Sequence, residues 1–152
     1  MITYYINIMN KVENNALTCM QHMNIYDKNN NIMACIIKWK FKPLKSAFLS
    51  DKETNFQYGV SYYKKNHEIK KHYHNKIKRT IEGTSEVVMI RDGNVIVDIY
   101  DREKELIMTY TLNPNDIIIL IDGGHGFKML DDAWIFNLKQ GPYNEEIDKT
   151  YF

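Results

Sequence analysis

The chain has 152 residues, of which 44% are hydrophobic and 26% charged, and its net charge is +1. These values are typical of one soluble globular domain that can bury a core without disulfides or a structural metal. With so small a net charge, the chain lacks the overall positive field of nucleic-acid-binding proteins. No apolar run reaches the roughly 20 residues that a membrane helix needs. We therefore expect neither nucleic acid nor a membrane as a partner.

The amino-terminal stretch has no basic residue before its short apolar segment and no small-residue cleavage site, so we expect a cytoplasmic location. The cysteines, Cys19 and Cys35, form no C-x-x-C pair and are interpreted as buried small hydrophobes. Residues 1–22 are weakly patterned and are interpreted as an extension. Three alternatives stay open for it: an extra strand, an arm to a partner subunit and a loosely ordered segment. Residues 23–152 are assigned to one domain.

The first strand signals flank an asparagine-rich turn. The segments M-N-I-Y and I-M-A-C-I-I-K-W-K-F lie on either side of D-K-N-N-N and predict a β-hairpin that ends at Pro43. A polar loop or short helix is expected over residues 45–55. The segment Q-Y-G-V-S-Y-Y then predicts another strand, because it is rich in aromatic and β-branched residues.

From residue 86 onward the strand signals become regular. The segment E-V-V-M-I-R ends at Asp92-Gly93, which predicts a two-residue hairpin to N-V-I-V-D-I-Y. Further strands are predicted at L-I-M-T-Y-T-L, at the apolar run Ile117–Ile121, which suits a strand buried on both faces, at G-H-G-F-K-M-L and at A-W-I-F-N-L-K. Short strands at intervals of roughly 8 to 12 residues, with almost no helical periodicity, predict an all-β sandwich or barrel.

Three of the five histidines, His67, His72 and His74, lie between His67 and Gly93, and the same stretch contains three glutamates. If the backbone is extended there, His72 and His74 point to the same side and can share one metal ion. Glu86 is the first residue on one face of a predicted strand, and the residues that follow it on that face are apolar. His125 has the same position on a later strand. A polar group at the mouth of an apolar interior requires a partner, so we expect these strand ends to converge.

This pattern resembles the cupin superfamily. The first cupin motif has a His-x-His pair and then a Glu and a Gly separated by six residues; V-V-M-I-R-D lies between Glu86 and Gly93. The second motif is matched by Asn115-Asp116, I-I-I-L-I, D-G-G and a final histidine. The resemblance implies a cupin double-stranded β-helix, or jelly-roll barrel, with an amino-terminal β-hairpin extension. It also implies one divalent metal ion held by His72, His74, Glu86 and His125.

The sequence departs from the cupin pattern in four places. Asn115 replaces the usual Gly, the proline of the second turn is absent, the asparagine that often follows the final histidine has no match, and the gap between His74 and Glu86 is longer than usual. The longer gap makes Glu82 an alternative ligand. We favour Glu86, whose spacing to Gly93 fits and which leads directly into a strand, so Glu82 becomes a candidate catalytic carboxylate.

Three histidines and one carboxylate leave two positions of a six-coordinate ion open for water or substrate. Such ligands suit Fe(II), Mn(II), Co(II), Ni(II) or Zn(II), and their affinities do not select among these ions. A structural metal is more often closed by four tetrahedral ligands that include cysteine. The predicted site is therefore open to a ligand.

Positive charge surrounds the histidines. Residues 64–79 contain seven basic residues and one acid, which predicts an anionic small ligand. Within this segment, Lys76 and Arg79 are candidate substrate-binding residues, since a guanidinium can offer two parallel hydrogen bonds to an anion. In the K-Q-G-P-Y segment, Lys139 is a further candidate for substrate binding and Tyr143 for catalysis, and Gln140 can also line the mouth.

The sequence G-G-H-G-F and the ending K-Q-G-P-Y-N-E-E-I-D-K-T-Y-F resemble a group of small single-domain cupins associated with surface-polysaccharide and nucleotide-sugar pathways. The resemblance covers about residues 23–152. It implies an isomerase or epimerase acting on a small anionic carbohydrate-derived substrate. Two alternatives stay open, an Fe(II)-dependent dioxygenase and a non-enzymatic sugar-binding or regulatory protein. Cupins commonly pair through their sheets, so a homodimer is expected.

Overall fold

The structure is a computed structural model that describes residues 21–152. This part of the chain is all-β, as predicted, and contains no helix long and apolar enough to span a membrane. The predicted extension and Cys19 lie outside the described residues, except for the last two residues of the extension. The strands are β1 (His22–Tyr26), β2 (Ile32–Ile37), β3 (Ala47–Phe48), β4 (Gly59–Val60), β5 (Glu86–Asp92), β6 (Val95–Tyr100), β7 (Leu106–Leu112), β8 (Ile117–Leu120), β9 (Gly124–Met129) and β10 (Trp134–Lys139).

The strands form antiparallel sheets. The larger sheet has the order β1-β2-β8-β5-β10, the smaller sheet has the order β7-β6-β9, and β3 pairs with β4 alone. Among the described residues, no strand pairing joins the two main sheets, so they do not form a closed barrel. The jelly-roll prediction is thus supported at the level of an all-β arrangement of two main sheets.

The main core lies between these two sheets. The larger sheet contributes alternate residues of β5 to this core, such as Val88 and Ile90. The smaller sheet contributes alternate residues of β6, such as Val95 and Val97. The period of two along each strand places these side chains on one face. One apolar cluster therefore holds the sheets face to face.

The strand β8 is buried on both of its faces, which confirms the interpretation of its apolar run. Ile118 belongs to the core between the sheets, whereas Ile119 packs with Cys35 and Tyr58 in a second cluster on the outer face of the larger sheet. Partly buried side chains from the segment 41–60 cover this second cluster. The expectation that Cys35 is a buried hydrophobe is confirmed, since its exposed fraction is 0%.

The predicted amino-terminal hairpin is formed by β1 and β2. The two strands pair from His22 opposite Ile37 to the turn. In that turn, Asp27 Oδ1 accepts hydrogen bonds from the backbone N–H groups of Asn29 and Asn31, at 2.9 and 2.8 Å. This Asp-centred turn satisfies backbone donors locally, which is why an asparagine-rich sequence forms it.

The prediction of a β-hairpin at Asp92-Gly93 is wrong. The strand β5 pairs with β8 and β10, whereas β6 pairs with β7 and β9, so the turn carries the chain from one sheet to the other. Gly93 has a φ of +79°, and a Cβ there would lie 2.5 Å from the carbonyl oxygen of Asp132. The glycine is therefore required at a crossing between sheets.

Two other predictions hold only in part. The strand expected in Q-Y-G-V-S-Y-Y is reduced to the two residues Gly59–Val60. The loop expected over 45–55 contains the short strand that pairs with it. Both strands serve to cover the outer face of the larger sheet.

We expect Ile118→Ala to lower the free energy of unfolding by about 2–5 kcal/mol, because it removes a fully buried side chain and leaves a cavity. Ile147→Ala is the control, since Ile147 is 76% exposed and its loss should change stability by less than about 0.5 kcal/mol. Urea denaturation measures both changes. Equal effects of the two substitutions would contradict the described core.

Candidate active site

The candidate site lies at the end of the sandwich where β5 and β9 begin. Glu86 is the first residue of β5, and His125 is the second residue of β9. Strand alternation places Glu86 on the inward face with Val88, and His125 on the inward face with Phe127. Because the strands belong to opposing sheets, the side chains meet across the sandwich, with His125 Nε2 3.6 Å from Glu86 Oε2. Two of the predicted metal ligands are thus brought together.

Both groups are partly withdrawn from water. The exposed fraction is 19% for the Glu86 side chain and 34% for that of His125. Burial lowers the pKa of His125 below its ordinary value; the carboxylate of Glu86 opposes this change, and the ammonium groups of Lys149 and Lys139 add to it. The site therefore places an imidazole that favours its neutral form beside a carboxylate and two cations.

The distance between Glu86 and His125 also matters chemically. At 3.6 Å the nitrogen and oxygen are within ion-pair range but beyond an ordinary hydrogen bond. The polar atoms of both groups therefore keep hydrogen-bonding capacity for a ligand. A neutral imidazole can accept a proton, and a neighbouring carboxylate stabilises the imidazolium that results.

Lys139 and Tyr143, both selected from the sequence, lie at the same end. Lys139 is the cross-strand partner of Glu86, and paired residues share a face of the sheet. The ammonium group of Lys139 lies 4.4 Å from the centroid of the Tyr143 ring, which holds it by a cation–π interaction. The register of β5 and β10 therefore brings a cation and an aromatic residue beside the carboxylate.

The last residues of the chain return to this end of the sandwich. Gln140 Oε1 accepts a hydrogen bond of 2.7 Å from the backbone N–H of Ser85, immediately before Glu86. At the carboxyl terminus, the Phe152 ring packs edge-on against Tyr100, with centroids 5.3 Å apart. A Cβ on Gly124 would lie 2.8 Å from the Phe152 ring, so this glycine permits the close approach.

The structure places His72 and His74 outside any strand, so the expectation that both project from one strand is wrong, whereas their role as metal ligands stays a prediction. Both are exposed in the segment 61–85, which contains no strand. Their rings contact each other edge-on, with centroids 5.4 Å apart, and His72 Nδ1 lies 2.8 Å from the carbonyl oxygen of Lys70. A H-x-H segment without alternating apolar residues has no face that a sheet would bury, so nothing holds it extended.

Within residues 21–152, no group of three or more His, Cys, Asp or Glu side chains is placed to hold a metal ion. Glu86 and His125 are suitable donors for the predicted ion, so the residues fit half of the expected ligand set. The four-ligand site stays a prediction.

The other candidate site residues in the segment 61–85 are also exposed. Glu82, Arg79 and Lys76 lie in the same strandless stretch. The backbone carbonyl of Glu82 accepts a hydrogen bond of 3.3 Å from Asn55 Nδ2, which ties this end of the segment to the 45–55 loop. Between the two glutamates considered as ligands, it is Glu86 that faces His125.

The sequence did not single out Ser85 or Lys149. Ser85 is buried, and its hydroxyl donates to the carbonyl of Ile121 at 3.4 Å, which links the start of β5 to the end of β8. Lys149 belongs to the D-K-T-Y-F ending, which the sequence analysis noted only as part of a motif that resembles cupins. Its position beside His125 depends on the path of the carboxyl-terminal segment, which local sequence does not specify.

Comparisons with known proteins returned no match, whether against models of protein families, curated proteins or solved structures.

We predict opposite shifts of the His125 pKa on two substitutions. Glu86→Gln removes the charge that stabilises the imidazolium and should lower this pKa further, whereas Lys139→Met removes a repelling cation and should raise it. NMR titration of the histidine ring protons in metal-free protein, assigned with His125→Gln, measures both shifts. Glu82→Gln is the control and should leave this pKa unchanged; a shift as large as that of Glu86→Gln would make Glu82 the partner.

The same pKa has a consequence for stability. A histidine whose pKa is lowered by folding binds fewer protons in the folded state, so its contribution to stability is present above the ordinary value of 6.5 and is lost as the pH falls through the folded pKa. Wild type should therefore lose more stability on acidification from pH 7 than His125→Gln.

Proposed function

We propose that this protein is a cupin-type enzyme that isomerises or epimerises a small, anionic, carbohydrate-derived molecule at the Glu86–His125 end of the sandwich. The observation that carries the proposal is the meeting of an imidazole and a carboxylate across the two sheets, beside Lys139 and Lys149. Groups for proton transfer and groups for binding an anion are thereby combined in one place.

The strand connections support a jelly-roll arrangement. Only β1–β2 and β6–β7 are hairpins within the main sheets, while the steps β5–β6, β7–β8, β8–β9 and β9–β10 each change sheet. Repeated crossing between two antiparallel sheets is characteristic of Greek-key sandwiches and jelly rolls. The position of Gly93 at such a crossing agrees with its place in the first cupin motif.

The chemistry assigns distinct tasks to the residues. Neutral His125 would accept a proton from a carbon next to a carbonyl group, and Glu86 would stabilise the imidazolium that forms. Delivery of a proton to the former carbonyl carbon, with the hydroxyl proton moving from one oxygen to the other, completes an isomerisation. Delivery of a proton to the opposite face of the original carbon by a second group such as Tyr143 completes an epimerisation; Tyr143 is then reprotonated from solvent and His125 releases the proton that it accepted. The ammonium groups of Lys139 and Lys149 would attract the anionic part of the substrate.

The predicted metal belongs to this proposal. In the metal-bound form, Glu86 and His125 would hold a divalent ion (Fe, Mn, Co, Ni or Zn), which supplies Lewis-acid polarisation of a carbonyl or hydroxyl. A coordinated imidazole has no lone pair left for a proton, so in this form Glu82 or Tyr143 would move the proton in place of His125. His72 and His74 are the proposed remaining ligands. Arg79 and Lys76, on the same segment, are proposed to contact the anionic group, and Glu82 to assist proton transfer.

Solvent exchange tests the proposed reaction. The protein is incubated in D₂O with keto-sugar phosphates and nucleoside-diphosphate keto-sugars, and mass spectrometry measures deuterium in the recovered sugar. Glu86→Gln and His125→Asn should each slow exchange at least about 100-fold, because each removes a group that handles the proton.

The control for this experiment is Asp132→Asn, at the opposite end of the sandwich, which should exchange at the wild-type rate. Elemental analysis of the same preparations tests the metal, which should be near one per chain in wild type and lost in His125→Asn. Oxygen consumption without exchange would indicate the dioxygenase instead. Binding without exchange or oxygen consumption would indicate a non-enzymatic protein.

We also propose a homodimer. The outer face of the edge strand β10 exposes three large apolar side chains, Trp134 (62%), Phe136 (50%) and Leu138 (53%). Within residues 21–152, β10 is paired on one side only, and an apolar stripe on such an edge is suited to burial against a second copy of itself. Light scattering at micromolar concentration should give about twice the chain mass of 18.1 kDa, and Phe136→Glu should give the single-chain mass. A wild-type mass equal to that of one chain contradicts this proposal.

A further inference from the structure

Two neighbouring segments, residues 39–48 and 61–67, form one surface on the outer side of the larger sheet. Ser46 joins them, because its Oγ accepts a hydrogen bond of 3.0 Å from the backbone N–H of Tyr62 and donates one of 3.3 Å to the backbone carbonyl of the same residue. Strand β3 in the first segment pairs with β4, which directly precedes the second segment. An open cavity of about 460 Å³ lies between the segments and is lined by residues of both.

This surface exposes large apolar and aromatic side chains to solvent. They are Trp39 (60%), Leu44 (97%), Phe48 (71%), Tyr62 (51%) and Tyr63 (49%). Strand alternation explains the exposure of Phe48, because its neighbour Leu49 packs inward against the cluster around Tyr58 and Phe48 therefore points away from it. Single exposed hydrophobic residues are common, but a group of them on two adjoining segments is typical of an interaction surface.

The same two segments are basic, and we call them the basic–aromatic surface. They contain no Asp or Glu, and their exposed lysines are Lys40, Lys42, Lys45, Lys64 and Lys65. Within residues 21–152, none of these five lysines forms an ion pair, whereas Lys38, just before the first segment, is paired with Asp116. Clustered cations without acids create a positive local potential, which attracts a partner with many negative charges.

The apolar side chains indicate which kind of polyanion fits. Leu44 presents an aliphatic group that a nucleic acid or a highly charged polypeptide would leave among polar atoms. The Lys42 ammonium group lies 5.7 Å from the Trp39 ring centroid, and the His67 ring stacks on Tyr63 at 4.8 Å, so less ring surface is free for stacking on bases. A membrane surface offers an apolar interior to Leu and Phe, a headgroup level to Trp and Tyr, and anionic groups to Lys.

We propose that the basic–aromatic surface binds the surface of a membrane that contains anionic lipid, without crossing the bilayer. Leu44 and Phe48 would enter the boundary between headgroups and acyl chains, Trp39 would lie at the level of the headgroups, and the lysines would face the lipid phosphates and carboxylates. The expectation from the sequence excluded a membrane partner because no apolar run is long enough to span a bilayer, and peripheral binding requires no such run. The proposal does not depend on the proposed reaction.

Co-sedimentation of the full chain with lipid vesicles tests this proposal. One set of vesicles consists of phosphatidylcholine alone, and the other contains about one quarter phosphatidylserine, which supplies a negative surface potential. The protein should bind the second set at least about tenfold more tightly, and added salt should weaken this binding because it screens the lysines. No binding to either set, or equal binding to both, would overturn the proposal.

Two soluble polyanions test the membrane against other partners. Polyglutamate represents an acidic polypeptide, and oligothymidylate represents a single-stranded nucleic acid. Because neither offers an apolar interior to Leu44 and Phe48, each should bind at least about tenfold more weakly than the phosphatidylserine vesicles at equal concentrations of negative charge. Equal or tighter binding of either polymer would contradict the assignment to a membrane.

Substitutions separate the apolar contribution from the charge. Leu44→Glu should weaken vesicle binding at least about tenfold, because it replaces an inserted side chain by a repelled carboxylate. Lys45→Gln together with Lys64→Gln should weaken it about 25-fold, since each lysine near an anionic surface contributes about fivefold. All three positions are exposed, so both variants should keep the wild-type melting temperature. Wild-type vesicle binding by both variants would overturn the proposal.

Matched controls make the same chemical changes outside this surface. Ile147→Glu adds a carboxylate at another exposed apolar position, and Lys28→Gln together with Lys128→Gln removes two exposed lysines from other parts of the structure. Both controls should change vesicle binding by less than about twofold, because charges beyond a Debye length from the membrane are screened. If a control weakens binding as much as its matched variant, net charge rather than this surface determines binding, and the proposal fails.

Discussion

The burial of one strand on both faces is the constraint on which this structure depends. Strand β8, Ile117–Leu120, is hydrogen-bonded to β2 on one side and to β5 on the other. Its inward side chains join the core between the sheets, and its outward side chains join the cluster around Tyr58. A strand in this position cannot shift by one residue without exchanging these two sets of side chains, so its register fixes both faces of the larger sheet.

The candidate active site and the basic–aromatic surface lie on opposite sides of that sheet. Glu86 and His125 lie between the sheets with Lys139 and Lys149 nearby, whereas the basic–aromatic surface includes Phe41, which packs against the cluster on the outer face. The net charge of +1 averages over these environments and conceals them.

The strands from β5 onward could be predicted from sequence because each has an apolar repeat bounded by turn residues. Their partners could not, as Asp92-Gly93 illustrates: the local chemistry of a tight turn is the same whether the next strand pairs with the last one or crosses to another sheet. Glu86 and His125 could be selected because each interrupts an apolar face. The position of Lys149 and the joining of residues 39–48 to residues 61–67 could not, because both depend on contacts between distant segments.

The position of His72 and His74 outside the sheets also has an electrostatic consequence. The segment 64–79 carries seven basic residues and one acid, so folding it against Glu86 and His125 would bring positive charge towards Lys139 and Lys149. A divalent cation at the same place would increase that repulsion, and a single carboxylate would not offset it. An anionic substrate would offset this repulsion, because its negative charge would lie close to both the metal ion and the basic segment. Assembly of the proposed four-ligand site and binding of an anion would then favour each other, since each would remove part of the electrostatic cost of the other.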